Sequence, residues 1–340
     1  MMKKKTRDQG TILIFALWTL ALLVVFSVYI GIGVRQRMIL VQRLESRSKL
    51  YYSAASGIRK AIAVLNHVRS IPGAMLVSEA RAKLLNNQEV FSNIQLNGVN
   101  VDVSYQIFDK SFSENKKQYG MMEEAAKINI NFADQRTLIR LFQLVLGYDS
   151  EKAEELALAI VDWRTKGEGR LEGFFSDEYY KNLEHPYAPK NASFEVLDEA
   201  LLVEGMTSEI LDRLRYFLTI YGDGRININT ASLHVLRALG FEEALAEKII
   251  ERRAGEDGIE GTEDDYVFQS EDGLTFLLRL SSVATENDTL FAQQLFEDEQ
   301  FRVDSDIYSI EAFAAIGQQQ MKIRCVYDAS VQTIIYWQET

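Results

Sequence analysis

Residues 11–34 read TILIFALWTLALLVVFSVYIGIGV, with Tyr29 the only ionisable side chain among them. As an α-helix these 24 residues span about 36 Å, enough to cross a hydrocarbon core of about 30 Å. The residues before them, MMKKKTRDQG, set Lys3, Lys4, Lys5 and Arg7 against Asp8 alone. That bias predicts a cytoplasmic amino terminus, with everything after Val34 carried across the membrane. A cleaved secretory signal is the competing reading. Its apolar core normally runs to about 7–15 residues and ends at a site such as A-x-A, so the length here favours a retained helix.

The helix does not stop at the membrane boundary. No proline occurs until Pro72, and Leu40, Leu44, Tyr51, Ala54, Ala55, Ile58, Ile62 and Leu65 recur at three- and four-residue spacing. Residues 11 to about 65 therefore read as one rod of roughly 80 Å, apolar all round in its first half and amphipathic over 35–66. Gly31 and Gly33 do not oppose this, because membrane helices tolerate glycine.

The remainder, about 300 residues, exceeds one small domain. A net charge of −12 argues against a polyanionic partner, and no basic patch overrides it. Cys325 is the only cysteine, which excludes an intrachain disulfide; it reads as a core filler in the strand MKIRCVYDA.

FSNIQLNG and VNVDVSYQIFD read as two strands meeting at Asn97-Gly98, a hairpin signal. FRVDSDIYSIEAFAAIGQQQMKIRCVYDAS supplies a second β-region with a turn near Gly317. Between them, residues 125–295 are mostly helical, as an insertion into one α+β domain would be. The insertion contains a repeat: Ile128-Asn129-Ile130-Asn131-Phe132-Ala133 recurs as Ile226-Asn227-Ile228-Asn229-Thr230-Ala231. Leu138 and Leu141 then match Leu236 and Leu239, and Asp162 and Arg164 match Glu251 and Arg253. Each copy predicts a short strand, an Asn helix cap, a helix, a Gly turn and a second helix.

ININTAS followed by VLRALG and AEKIIERR resembles the helix–hairpin–helix modules of DNA-binding proteins, whose Gly-hydrophobic-Gly turn offers backbone N–H groups to a phosphate. Here the turns read Gly147-Tyr148-Asp149-Ser150 and Gly240-Phe241-Glu242-Glu243, with acids where the second glycine belongs. No nucleic-acid partner is expected, and a membrane-tethered DNA-uptake protein is the alternative function. Residues 255–278 hold Glu256, Asp257, Glu260, Glu263, Asp264, Asp265, Glu271 and Asp272 without a Lys or Arg. Such a stretch is either a solvated loop or the surround of a hard cation. Calcium suits it, since calcium takes six to eight oxygens in flexible geometry and Gly258 and Gly261 let the backbone curl. The spacing is not that of an EF-hand. Enzyme motifs are missing: His67, His185 and His234 are scattered, and no G-x-S-x-G or phosphate loop occurs. A hydrolase reading would rest on Asp162-Trp163-Arg164 with Glu178 and Tyr179, where a buried Trp and paired charges account for the same residues.

Taken together, the leader ending in Gly10, the helix TILIFALWTLALL, AIVDWR, EYYKNLEHPYAPKN, FEVLDEALLVEGM, GRININTAS and DGIEGTEDD resemble the K-type minor pseudopilins of the bacterial type II secretion system. The resemblance implies a pilin-like α+β fold, a long N-terminal helix plus antiparallel sheet, with a large mostly α-helical insertion carrying the two helix–hairpin–helix-like repeats. The expected organisation is a leader peptide over 1–10, an assembly half of the helix over 11–34 and an amphipathic half over 35–66. A pilin-like domain over 67–124 and 296–340 follows, interrupted by the insertion over 125–295 with its acidic loop at 255–272. The resemblance further implies cleavage by a prepilin peptidase between Gly10 and Thr11, with methylation of the new terminus. Phe15 stands at the fifth mature position, where most pilins have Glu. A subunit with nothing above it lacks the terminal amine that such a Glu would pair with, and an unpaired buried carboxylate is costly. The implied place is the tip of a periplasmic pseudopilus, with I- and J-type minor pseudopilins, the major pseudopilin and the inner-membrane assembly platform as partners and no catalysis. Calcium is the implied cofactor, with Asp257, Asp264 and Asp265 as ligands, joined by Glu263 and oxygens near Ile259 and Thr262. Glu256 or Asp272 is left for a second ion.

Overall fold

Helix α1, Asp8–Arg69, runs unbroken for 62 residues, about 93 Å, in the computed structural model. The structure describes residues 8–73, 78–108, 115–166, 177–280, 284–298 and 300–340; most of the expected leader, residues 1–7, lies outside them. Among the described residues α1 is the one helix long and apolar enough to cross a membrane. Burial on it begins at Leu50 and takes in Ala54, Ala55, Ile58, Ala61 and Leu65. Leu40 and Leu44, expected on the buried stripe, are both 57% exposed, because the domain reaches only the last six turns of the rod.

The short helices α2 (Ser78–Leu85) and α3 (Gln88–Phe91) lead into strands β1 (Ile94–Leu96) and β2 (Val99–Val103). These pair antiparallel across Asn97-Gly98, where φ is +52° and +80°, the left-handed pair that a two-residue hairpin requires. The expected continuous strand through SYQIFD breaks after Val103. β3 (Tyr105–Phe108) leaves the sheet to pair with β4 (Asn115–Gln118), and β5 (Met122–Glu123) follows. Ser104 marks the break, its N–H spent on the Glu311 carbonyl at 3.1 Å.

The chain then enters the helical body through β6 (Ile128–Asn129), α4 (Gln135–Leu146), α5 (Ser150–Arg164), α6 (Asp177–Lys181), α7 (Ser208–Leu214) and β7 (Leu218–Thr219). A second run follows: β8 (Ile226–Asn227), α8 (Leu233–Leu239), α9 (Glu243–Arg253), α10 (Glu271–Leu280), α11 (Glu286–Glu297) and β9 (Phe301–Arg302). It returns as β10 (Ile307–Ile316), β11 (Gln319–Asp328) and β12 (Thr333–Glu339), completing an antiparallel sheet of order β1-β2-β10-β11-β12, with β5 beside β10. β12 lies beyond the β-region legible in the sequence.

There are two hydrophobic cores. One lies between α1 and the sheet and includes Ile58, Leu65, Val101, Ile310, Ile323 and the buried Cys325. The other is the interior of the helical body and reaches from Ile128 to Phe301, so β9 packs with the insertion, past the expected boundary at 295. Gly57 lets α1 settle on the sheet. A Cβ there would stand 2.8 Å from Val101 Cγ1 and 3.4 Å from Ala312 Cβ. Gly57→Val is expected to lower stability by about 1–3 kcal/mol, read as a lower thermal midpoint with the helical content unchanged.

Candidate functional site

The two sequence repeats fold as two copies of one unit. β6 pairs parallel with β7, and β8 pairs parallel with β9, so each copy begins and ends on its own two-stranded ribbon. α4 ends at Gly147 (φ +69°) and α8 at Gly240 (φ +120°), the left-handed positions that mark the expected turns. The helix caps differ from expectation. Asp134 and Ser232 cap α4 and α8, accepting from Thr137 N at 2.7 Å and Val235 N at 3.3 Å. The asparagines brace loops instead. Asn131 accepts from Phe194 N at 2.7 Å and donates to Phe194 O at 3.1 Å. Asn229 does the same to Phe268, at 2.7 and 2.8 Å. Phe194 and Phe268 escape a sequence comparison because the stretches before them, residues 165–193 and 254–267, differ in length. The one signal is an Asp four positions after each Phe, Asp198 and Asp272.

Each copy locks its turn with a guanidinium, half-buried for Arg164 and fully buried for Arg253. Arg164 donates to the carbonyls of Ile130 and Ala133, and Arg253 to those of Ile228 and Ala231, both at 2.8 Å. Burial pushes Arg164 down to about 10, with Asp134 acting in the opposite sense. Arg253, only 2% exposed, has a carboxylate partner in Glu260, which accepts from its Nε at 2.7 Å. The acidic loop is therefore fastened at its middle to the core of the second copy.

Around that fastening the loop's oxygens gather. Thr262 Oγ1 lies 2.7 Å from Asp264 Oδ1, 3.0 Å from the Ile259 carbonyl and 3.4 Å from Asp265 Oδ1. Asp264 Oδ2 accepts from Glu256 N and Asp257 N at 2.7 and 3.0 Å, and Gly255 leaves it room, since a Cβ there would stand 2.4 Å away. Asp257 Oδ1 accepts from Ile259 N at 2.7 Å, and Asp265 Oδ2 from Gly261 N at 2.7 Å. Asp272 stands apart, in the first turn of α10, where its carbonyl accepts from Thr275. Among the described residues no three acidic, histidine or cysteine side chains are grouped as a metal site. The donors that do converge, from Ile259, Thr262, Asp264 and Asp265, are all hard oxygens and fit calcium as a partial set that water would complete. Desolvation pushes the Asp265 carboxyl up to about 6; the Gly261 N–H opposes the shift and Glu260 adds to it.

The other candidate chemistry is spent on packing. Trp163 is buried, its Nε1 donating to Glu199 at 3.2 Å and its ring edge-on to Tyr180. At the α5 start, Asp149 accepts from Lys152 N at 2.9 Å, filling the place that a DNA phosphate takes in a helix–hairpin–helix.

Residues 114–223 match the family model described as Type II secretion system (T2SS), protein K. That stretch, about a third of the chain, is similar to protein K of type II secretion. The fold agrees with it. A chain of the crystal structure of the GspK-GspI-GspJ complex from the enterotoxigenic Escherichia coli type 2 secretion system matches with a TM-score of 0.60 at 15% identity. The match covers 88% of this chain and 98% of that one. No curated protein sequence matches. Neither comparison supports a DNA-uptake role.

Arg253→Ala would strand two carbonyls and Glu260, and is expected to cost about 3–5 kcal/mol. Hydrogen exchange should show the loss across α8, α9 and the acidic loop, with the α1–sheet core protected as before. Because the folded Asp265 carboxyl titrates above its unfolded value, its contribution is present below about pH 4 and lost as pH rises through about 6. In cation-free protein Asp265→Asn should therefore raise the thermal midpoint above pH 6 and leave it unchanged at pH 4.

Proposed function

We propose that this chain is a minor pseudopilin that stands at the tip of a periplasmic pseudopilus, on minor pseudopilins of the I and J type, and starts its assembly. The observation that carries this reading is the contrast along α1. From Ile12 to Leu44 its large apolar side chains lie open, and from Leu50 on it packs into the core it shares with the sheet. A helix apolar on all sides needs lipid before assembly and neighbouring rods afterwards. The basic leader directs the amino terminus to the cytoplasm and the body to the periplasm. Cleavage between Gly10 and Thr11 would release the rod, and the body at its far end would block a further copy above. The role is that of a structural and assembly component, with the helical body as head and α1 as dock.

Calcium belongs to the same reading. It would be held by Asp264, Asp265, the Ile259 carbonyl and Thr262, and would neutralise an acid-rich loop in which Glu260 is met by Arg253. Asp257 and Glu263 stand near enough in sequence to join through water.

Co-purification of the full chain in detergent with I- and J-type pseudopilins tests the assembly role. A stable ternary complex is expected, and recovery of this chain alone would refute it. Replacing Leu40 and Leu44 together by Asp should abolish that complex. The stability of the isolated chain should change by no more than about 0.5 kcal/mol, since both side chains face out. For calcium, terbium luminescence should report binding that Asp264→Asn and Asp265→Asn weaken; no binding at millimolar ion would exclude the site.

A further inference from the structure

The two bodies are joined by two chain crossings that lie side by side. β5 leaves the sheet beside the start of β10, with Glu123 opposite Tyr308 and Met122 opposite Ser309. Adjacent crossings make a hinge, and rotation about it is limited only by contacts away from its line. At the hinge itself Glu123 is buried between Arg81, at 3.1 Å, and Thr230, which donates to it at 2.9 Å. On one flank Tyr221 meets Tyr336, ring centroids 6.4 Å apart.

The opposite flank is different. There a cleft of about 390 Å³ separates the bodies, walled by Leu85 and Ile107 on the sheet side and by Phe217, Leu233 and Ile250 on the helical side. Beyond the cleft the bodies meet again, at the tip of the acidic loop. Gly261 lies against the turn after α2: a Cβ on it would come 2.8 Å from Asn86 Cβ and 3.4 Å from Leu85 Cβ. Its φ of +87° independently disfavours a side chain. Gln118 Nε2 on β4 donates to the Glu260 carbonyl at 2.9 Å, while its Oε1 accepts from Tyr105 Oη at 2.5 Å. The Glu260 carboxylate faces the other way, onto buried Arg253. One residue thus holds the sheet through its backbone and the helical core through its side chain.

We propose that Glu260 and Gly261 form a clasp that closes this flank of the hinge and sets the angle of the helical head on the rod. Leu85, Asn86 and Gln118 are its seat. Asp264, Asp265 and Thr262 shape the loop within four residues of the clasp, so a ligand that rearranges them moves the head relative to the sheet. The clasp stands on the contacts alone; its control by a cation rests on the calcium reading above.

The test uses the full chain in detergent with spin labels on cysteines placed at Tyr52 and Leu290, both exposed, and pulsed dipolar distances between them. Cys325 is buried and does not compete for label. One narrow distance is expected for the otherwise unaltered chain. Gln118→Ala and Gly261→Val, on opposite sides of the clasp, should each broaden it and shift it to longer values, with the helical signal of both unchanged. Wild-type distributions in both variants would overturn the clasp, whether or not terbium binds. Chelation should broaden the parent and add nothing to Gly261→Val. If chelation has no effect while both variants broaden, the clasp holds and calcium is excluded as its control.

Discussion

The guanidinium of Arg253 joins the pieces of the helical head. It is buried, and its hydrogen bonds go to the turn after β8, through Ile228 and Ala231, and to the acidic loop, through Glu260. A buried cation is tolerated only when its donors are satisfied and its charge is met, so these partners are required together. From that one requirement follow the position of α9 against the strand, the path of the loop over α9 and the place where the loop touches the sheet domain. Arg164, half-buried, makes the matching pair of bonds in the first copy to carbonyls alone, and its partial burial lowers its affinity for the proton.

The rod answers a different constraint. Over its first half it exposes apolar side chains on every side, and over its last turns it packs a sheet on one side only. Small residues mediate the second condition: Ala54, Gly57 and Ala61 bring the backbone of α1 close to the sheet, while Ile58 and Leu65 fill the space between. The same helix thus runs from its exposed apolar half to the sheet it supports without a break. Mechanical continuity makes the angle of the head on the sheet meaningful, because a rigid rod transmits orientation where a jointed one would not.

Much of this was readable in residue order. The membrane-length helix, its continuation into the domain, the Asn97-Gly98 hairpin and the paired helical units all rest on local signals: apolar length, three-to-four spacing, a left-handed turn and a recurring hexapeptide. The candidate site was legible only as a concentration of acids. Sequence could not say that Glu260 turns inward to Arg253, or that Asp264 spends one oxygen on backbone N–H groups. Nor could it assign Asn131 and Asn229 to loops rather than helix ends. Those outcomes depend on which groups lie across the fold, 39 positions away for Asn229 and Phe268.

By itself the sequence determined that this chain carries one long helix, apolar enough over its first half to cross a membrane, and a duplicated helical unit, because both are properties of short-range pattern. Tertiary structure alone decided where the insertion's two crossings sit, that β12 closes the sheet, and that the acidic loop bridges two bodies. The physical reason is that those features are pairings between distant segments, in which each hydrogen bond is chosen by what the rest of the fold leaves unsatisfied.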